Sequence, residues 1–207
     1  MEAALNACQA HSAQKCAPYA EDARVVFDAK RWPALWRPYA SAAEAAHATT
    51  GNARGQRFPD LYLTQPNGRP MALSHLRGRP VVLHFWGAWC PACREELPQF
   101  QRLVARLGKD VAFLFIQVRE PATASRQWLQ QQGIRLPVHD SGAKGPRDAH
   151  FWLGNGAKIS DREVAPLFPS TYVLDRHGLV VFTRRGSAPD WMQYAAFLKD
   201  LAVHSGP

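Results

Sequence analysis

Apolar positions are spread unevenly along this chain. From Arg57 onward, short apolar runs alternate with stretches in which apolar residues recur every three or four positions. Val81–Trp86 is brief and mostly apolar, as a strand buried on both faces should be. Pro91 to Leu107 carries apolar residues at 97, 100, 103, 104 and 107, a helical stripe. Val111 to Val118 predicts a second buried strand, Ala122 to Gln132 a helix stopped by Gly133, and Leu136 to His139 a short third strand. Asp148 to Leu153 reads as a helical turn and Gly154 to Asp161 as a loop. Two hairpins frame this region. One joins Leu61–Leu63 to Met71–Leu73 through Pro66-Asn67-Gly68, the other joins Thr171–Leu174 to Leu179–Thr183 through Asp175-Arg176-His177-Gly178. Asp190 to Val203 closes the chain as an amphipathic helix. The order predicts an α/β domain with a mixed central sheet flanked by helices.

The pattern thins before residue 57. Residues 1–56 are rich in Ala and poor in branched aliphatics, so we divide the chain into an N-terminal helical or irregular extension, 1–56, and a domain over 57–207. Within the extension, Ser41 to Thr49 predicts a short helix capped by Ser41. Trp32, Trp36 and Tyr39, interrupted by prolines, predict an irregular segment packed on something larger.

Composition narrows the function classes. Of 207 residues, 46% are hydrophobic, enough for a packed core. The net charge is +8, but its Lys and Arg are scattered and not interleaved with aromatics, which argues against nucleic-acid binding. No apolar run approaches the roughly 18–20 residues of a membrane helix, and Met1–Leu5 lacks the basic and apolar regions of a secretory signal, so no membrane anchor is visible. His75, His139, His150 and His177 show no ligand spacing and read as surface or loop residues, and Trp128, Trp152 and Trp191 read as packing residues.

The chemistry lies in Trp89-Cys90-Pro91-Ala92-Cys93-Arg94, which leaves a buried strand and opens a helix. Two cysteines at this spacing close a small disulfide across the first helical turn. Cys90, at the helix N-terminus, faces unpaired N–H groups and the positive end of the dipole, which stabilise a thiolate. Pro91 suits the first helical position, where its missing N–H costs nothing. Cys93, one turn in, attacks the mixed disulfide formed at Cys90. Zinc would need two further ligands, and Cys8 and Cys16 sit in a different segment, so we assign no metal site. A thiolate pair with a histidine also suits copper, which keeps a copper-binding chaperone as an alternative.

Residues 82–98, from Val82-Leu83-His84-Phe85-Trp86 through Cys90 and Cys93 to Glu95-Glu96-Leu97-Pro98, resemble the active-site segment of thioredoxin-fold proteins, and most closely the TlpA/ResA/DsbE group of extracytoplasmic thiol–disulfide oxidoreductases. Phe168-Pro169-Ser170-Thr171-Tyr172 is similar to that group's cis-proline strand. The resemblance implies a thioredoxin fold with a TlpA-like insert, Cys90 as attacking and Cys93 as resolving cysteine, Pro169 as the cis-proline, and Trp89, Pro91 and Phe168 as part of the substrate surface. It implies that Glu96 relays a proton at Cys93, and that His84, where thioredoxin carries a buried Asp, serves as a buried proton acceptor or thiolate stabiliser. Phe168 is bulkier than the usual residue before the cis-proline. The implied activity is reduction of protein disulfides, of the cytochrome c maturation or metal-site cysteine type, with oxidase or isomerase as the alternative direction. It needs no cofactor beyond the Cys90–Cys93 disulfide, and an upstream membrane electron donor or acceptor as partner.

Cys8 and Cys16 would lie about 12 Å apart on one continuous helix, too far to bond. We expect the chain to turn back between them and close a structural disulfide, a second redox pair being the alternative. A structural bond there points to an oxidising, periplasmic or otherwise extracytoplasmic compartment, with a tether possible in a longer precursor.

Overall fold

The structure, a computed structural model, describes residues 2–10, 16–18, 20–21, 24–26, 40–188 and 190–204. The chain forms two compact units, Met1–Ala40 and Ser41–Pro207. In the first, helix α1 (Glu2–Ala10) precedes a small antiparallel pair, β1 (Ala20–Glu21) and β2 (Arg24–Val25). Cys8 and Cys16 are joined in a disulfide with their Cα atoms 6.2 Å apart. Trp32, Trp36 and Tyr39 lie outside the described residues.

The second unit has the thioredoxin architecture. Its main sheet has the order β11 (Val180–Arg185), β10 (Ser170–Leu174), β5 (Val81–Trp86), β6 (Ala112–Gln117), β7 (Val138–His139). β5 is central because every one of its residues is buried, and it pairs parallel with β6 and antiparallel with β10. Its alternation sends Val82 and His84 toward helix α3 (Pro91–Leu107) and Phe85 to the opposite face, among Phe58, Phe151 and Tyr172. The stripe read from the sequence faces inward, with Leu97, Phe100, Leu103 and Leu107 buried beside Cys93 and Glu96. Each such apolar side chain contributes about 1.5–3 kcal/mol by leaving water. Helix α4 (Ala122–Gln131) follows β6, and the turn Trp191–Tyr194 and helix α6 (Ala195–His204) pack on α3, where one continuous helix had been expected.

A second sheet has the order β4 (Pro70–Ala72), β3 (Leu61–Thr64), β8 (His150–Leu153), β9 (Lys158–Ser160). Two expectations are corrected here. Asp148 to Leu153 is not a helical turn and Gly154 to Asp161 is not all loop. They hold the β8–β9 hairpin, which pairs onto β3 and buries Phe151. A four-residue strand is too short to show a period, and its partner β3 lies far away in sequence. His139 is also corrected, being buried on β7, and Trp152 is 43% exposed with Lys158 Nζ 4.4 Å over its ring.

Helix α2 (Ala42–Ala46) carries the expected Ser41 cap, completed by Glu44 as a capping box. The compositional change at residue 56 falls inside the larger unit, because Arg57 donates to the carbonyls of Ala45 and His177 and Gly55 N–H donates to Val180 O.

Candidate active site

The end of β5 delivers the chain into a tight turn. Cys90 N–H donates to Gly87 O at 3.0 Å. Ala88 N–H donates to Glu120 Oε1 at 2.7 Å, and Glu120, buried after β6, also accepts from Ser125 Oγ. The Trp89 indole folds back over Gly87 and donates to Val118 O at 2.9 Å. Only a glycine leaves room, since a Cβ at 87 would stand 2.3 Å from Trp89 Nε1. Trp89 nevertheless remains 47% exposed, the outermost aromatic of the turn.

Cys90 caps α3 and Pro91, exposed, takes the first helical position. The two sulfurs are bonded, with Cα atoms 5.2 Å apart. Cys93 N–H points at Cys90 Sγ at 3.2 Å, one of the donors a thiolate there would use. Cys93 is wholly buried and Cys90 nearly so.

The Phe168–Pro169 bond is cis. Ser170 stands opposite Phe85, so Pro169 falls opposite the end of β5, from which the cysteine turn departs. Phe168 meets Trp89 edge to face at 5.8 Å. The far-apart motifs therefore meet at this point, where Phe168 and Pro169 are buried and Trp89 and Leu167 are the exposed residues, Leu167 at 51%.

His84 on β5 and Glu96 on α3 are both buried. His84 Nδ1 is 2.9 Å from Thr171 Oγ1, and its Nε2 is 4.0 Å from Glu96 Oε2. Burial pulls the His84 imidazole down to about 3, so it is neutral at physiological pH. Burial pushes the Glu96 carboxyl up to about 7, against the lowering effect of the Ala188 N–H that it accepts. Glu96 sits three residues after Cys93 on α3, on the same side of the helix.

Sequence reasoning missed the residues that hold Phe168. Arg119, in the loop after β6, binds Asp161 at the start of helix α5 (Asp161–Val164). The guanidinium carbons of Arg119 and Arg162 lie 5.8 and 5.0 Å from the Phe168 ring centroid. Arg119 has φ 57, unusual for a residue with a side chain. One available signal was position, since loops at the carboxyl ends of parallel strands are where α/β folds place sites. Among the described residues no three His, Cys, Asp or Glu side chains gather as a metal site requires, and no helix is long and apolar enough to cross a membrane.

Comparison with known proteins agrees with this arrangement. The sequence profile of the AhpC/TSA family matches residues 54–183. The thiol-disulfide oxidoreductase ResA of Bacillus anthracis is 30% identical over 129 residues, 61% of this chain and 66% of that protein. ResA of Geobacillus kaustophilus (strain HTA426) is 30% identical over 132 residues, 63% and 68% of the two chains. The chain thus spans about two thirds of the curated relatives it matches. Among solved structures, a Chlorobium tepidum protein described as a thiol:disulfide interchange protein DsbE superposes with a TM-score of 0.53 at 20% identity, over 74% of this chain and 97% of that one. A Bacteroides thetaiotaomicron protein described as a protein disulfide isomerase gives 0.54 at 21% identity, over 76% and 92%. At these identities the structures speak for the thioredoxin fold alone.

Proposed function

This chain belongs to the AhpC/TSA family, with ResA thiol–disulfide oxidoreductases among its relatives, and from that premise we propose that it reduces disulfide bonds in protein substrates through Cys90 and Cys93. The observation that carries the reading is a disulfide across the first turn of α3, with the Phe168–Pro169 cis bond and the half-exposed Trp89 beside it.

In the proposed cycle the reduced protein presents Cys90 as a thiolate. It attacks one sulfur of the target disulfide. That S–S bond breaks, a Cys90–target bond forms, and the other target sulfur leaves as a thiolate and takes a proton. Cys93 then gives its proton to the Glu96 carboxylate and attacks Cys90 Sγ. The mixed disulfide breaks, the second target sulfur is released, and the Cys90–Cys93 bond remains. The target gains two electrons from the protein and takes one proton from solvent at each of its sulfurs, while the Cys93 proton stays on Glu96 until the dithiol is restored. A carboxyl held near 7 suits this exchange, because it both accepts and returns a proton at neutral pH. An upstream electron donor restores the dithiol.

Trp89, Pro91, Phe168 and Pro169 form the docking surface in this reading. The Cys8–Cys16 disulfide supports an oxidising, extracytoplasmic location. The test is insulin reduction in the presence of dithiothreitol. Cys90→Ser is expected to fall to the uncatalysed rate, and Cys93→Ala to accumulate mixed disulfides with its substrates. Undiminished turnover by Cys90→Ser overturns the mechanism.

A further inference from the structure

His84 and Glu96 meet in the core with one unspent polar atom each. His84 Nε2 and Glu96 Oε2 are both buried, neither has a hydrogen-bond partner, and they face each other at 4.0 Å. A buried polar atom without a partner has lost its water and gained nothing in exchange. A closer approach of the two would satisfy both atoms, and the Trp191 indole N–H, also buried and unpartnered, is the other side-chain donor that acts on Glu96. Other partners are walled off from the imidazole by Phe100 and Phe115, whose ring centroids lie 4.4 and 5.9 Å away. The remaining groups that act on Glu96 are the Ala188 N–H, the Trp191 indole, Arg184 on β11 and Glu95 on α3.

The other imidazole nitrogen is committed to Thr171, which is the register partner of His84 across β5 and β10 and lies two residues past Pro169. We propose that Thr171 and His84 are positioning residues for the Glu96 proton: the threonine hydroxyl fixes the imidazole so that Nε2 meets the carboxyl in both of its protonation states. When Glu96 is protonated, its O–H donates to Nε2, and Nδ1–H donates to Thr171 Oγ1. When Glu96 is ionised, Nε2–H donates to Oε2, and Nδ1 accepts the Thr171 O–H. A hydroxyl both donates and accepts, so Thr171 serves each tautomer. The carboxyl gives up one proton, to Cys93 Sγ in turnover or to solvent in a titration. The imidazole exchanges its N–H from Nδ1 to Nε2 with no net gain or loss, and it stays neutral throughout.

The two states are not held equally. A hydrogen bond to a carboxylate is roughly twice as strong as one between neutral groups. His84 therefore favours the ionised carboxyl and offsets part of the burial that raises Glu96. Its consequence for turnover rests on the redox reading above. The linkage itself is a property of the resting, oxidised protein.

The experiment is a carboxyl 13C NMR titration of the oxidised full chain labelled at Glu, with Glu96→Gln identifying the signal. The parent midpoint is expected near 7. In His84→Phe it rises by one unit or more, a tenfold gain in proton affinity, and in Thr171→Val by a smaller amount in the same direction. An unchanged or lowered midpoint in both overturns the proposal. If His84→Phe does not fold, Thr171→Val decides, since it removes a hydroxyl and preserves volume. Failure of the parent to reduce insulin would sink the redox reading and leave this titration standing. Normal turnover beside an unmoved midpoint would sink the linkage alone.

Discussion

Arg119 grips Asp161 through two hydrogen bonds, Nε to Oδ2 at 2.6 Å and Nη2 to Oδ1 at 3.0 Å. The pair ties the loop after β6 to α5, and the same guanidinium lies against Phe168. The residue before the cis-proline is thus braced from outside the two motifs. Asp161 is almost wholly buried and the Arg119 side chain is 24% exposed. Breaking a fully buried pair costs about 3–5 kcal/mol. With Arg119 partly wetted, Asp161→Ala is expected to cost on the order of 2 kcal/mol in urea denaturation. Released from the pair, Phe168 loses its fixed position, so KM for insulin should rise several-fold with kcat little changed. An unmoved KM would remove Phe168 from the docking surface.

Gly87 offers a steric test of Trp89. A methyl group at 87 collides with the indole, so Gly87→Ala must expel Trp89 from its bond to Val118 O. Overpacking of this kind costs about 1–3 kcal/mol. The expected result is a weakened fold and a raised KM matching that of Trp89→Ala. If Gly87→Ala leaves KM at the parent value while Trp89→Ala raises it, the folded-back indole is not the docking form.

Glu96 and His84 tilt stability with pH in opposite senses. The folded Glu96 titrates at about 7, against about 4.3 when unfolded. Between those values the native state holds a proton that the unfolded chain has lost, so stability falls as pH rises through the window. Glu96→Gln removes that fall. Its stability relative to the parent should climb by about 1.4 kcal/mol per pH unit across the window and stay flat outside it. His84 titrates at about 3 when folded and about 6.5 when unfolded. Here the unfolded chain holds the extra proton, and the parent loses stability as pH falls through that range. His84→Asn should therefore gain on the parent toward acid. Urea midpoints of the oxidised proteins at half-unit pH steps check both slopes, and parallel curves would refute them.

These groups also mark where the sequence was readable. The central strand, the α3 stripe and the Cys90–Pro91–Cys93 turn were legible because each states its rule locally. The period is visible within a few residues, and the capping chemistry sits at one helix end. Pro169 was legible by resemblance to a known cis-proline strand. The β8–β9 hairpin was not, because His150–Leu153 is strand only when β3 lies beside it. Arg119 and Asp161 are 42 residues apart in sequence, and nothing local to either announces the other. The burial of Glu96 was equally hidden. A glutamate on a helix usually faces water, and here the backbone N–H of Ala188, 92 residues away, receives it.

Cys8 and Cys16 separate a structural bond from a second redox pair. As a structural bond it holds an eight-residue separation closed and, on loop-closure entropy, contributes about 2–3 kcal/mol to its own unit. Replacing both with Ser should leave the insulin turnover of the larger unit within twofold. Partial reduction followed by disulfide mapping should open Cys90–Cys93 first. Equal ease of reduction, or a large loss of turnover in the double Ser variant, would make it an electron-exchanging pair.

The reduction potential decides the direction of the cycle, and the buried His84 and Glu96 set an expectation for it. A strongly oxidising couple needs a thiolate stabilised well beyond that of an ordinary thiol, as in DsbA at about −120 mV. Here the α3 N-terminus stabilises Cys90, but these two groups add no positive charge. His84 is neutral above about pH 3. Glu96 is neutral or negative, and its ionised form opposes a thiolate nearby. The couple is therefore expected near thioredoxin's value of about −270 mV, by equilibration with dithiothreitol at pH 7. Glu96→Gln, which removes the opposing charge, should make it less reducing. A parent value near −120 mV would reverse the proposed flow of electrons and make the protein a disulfide donor.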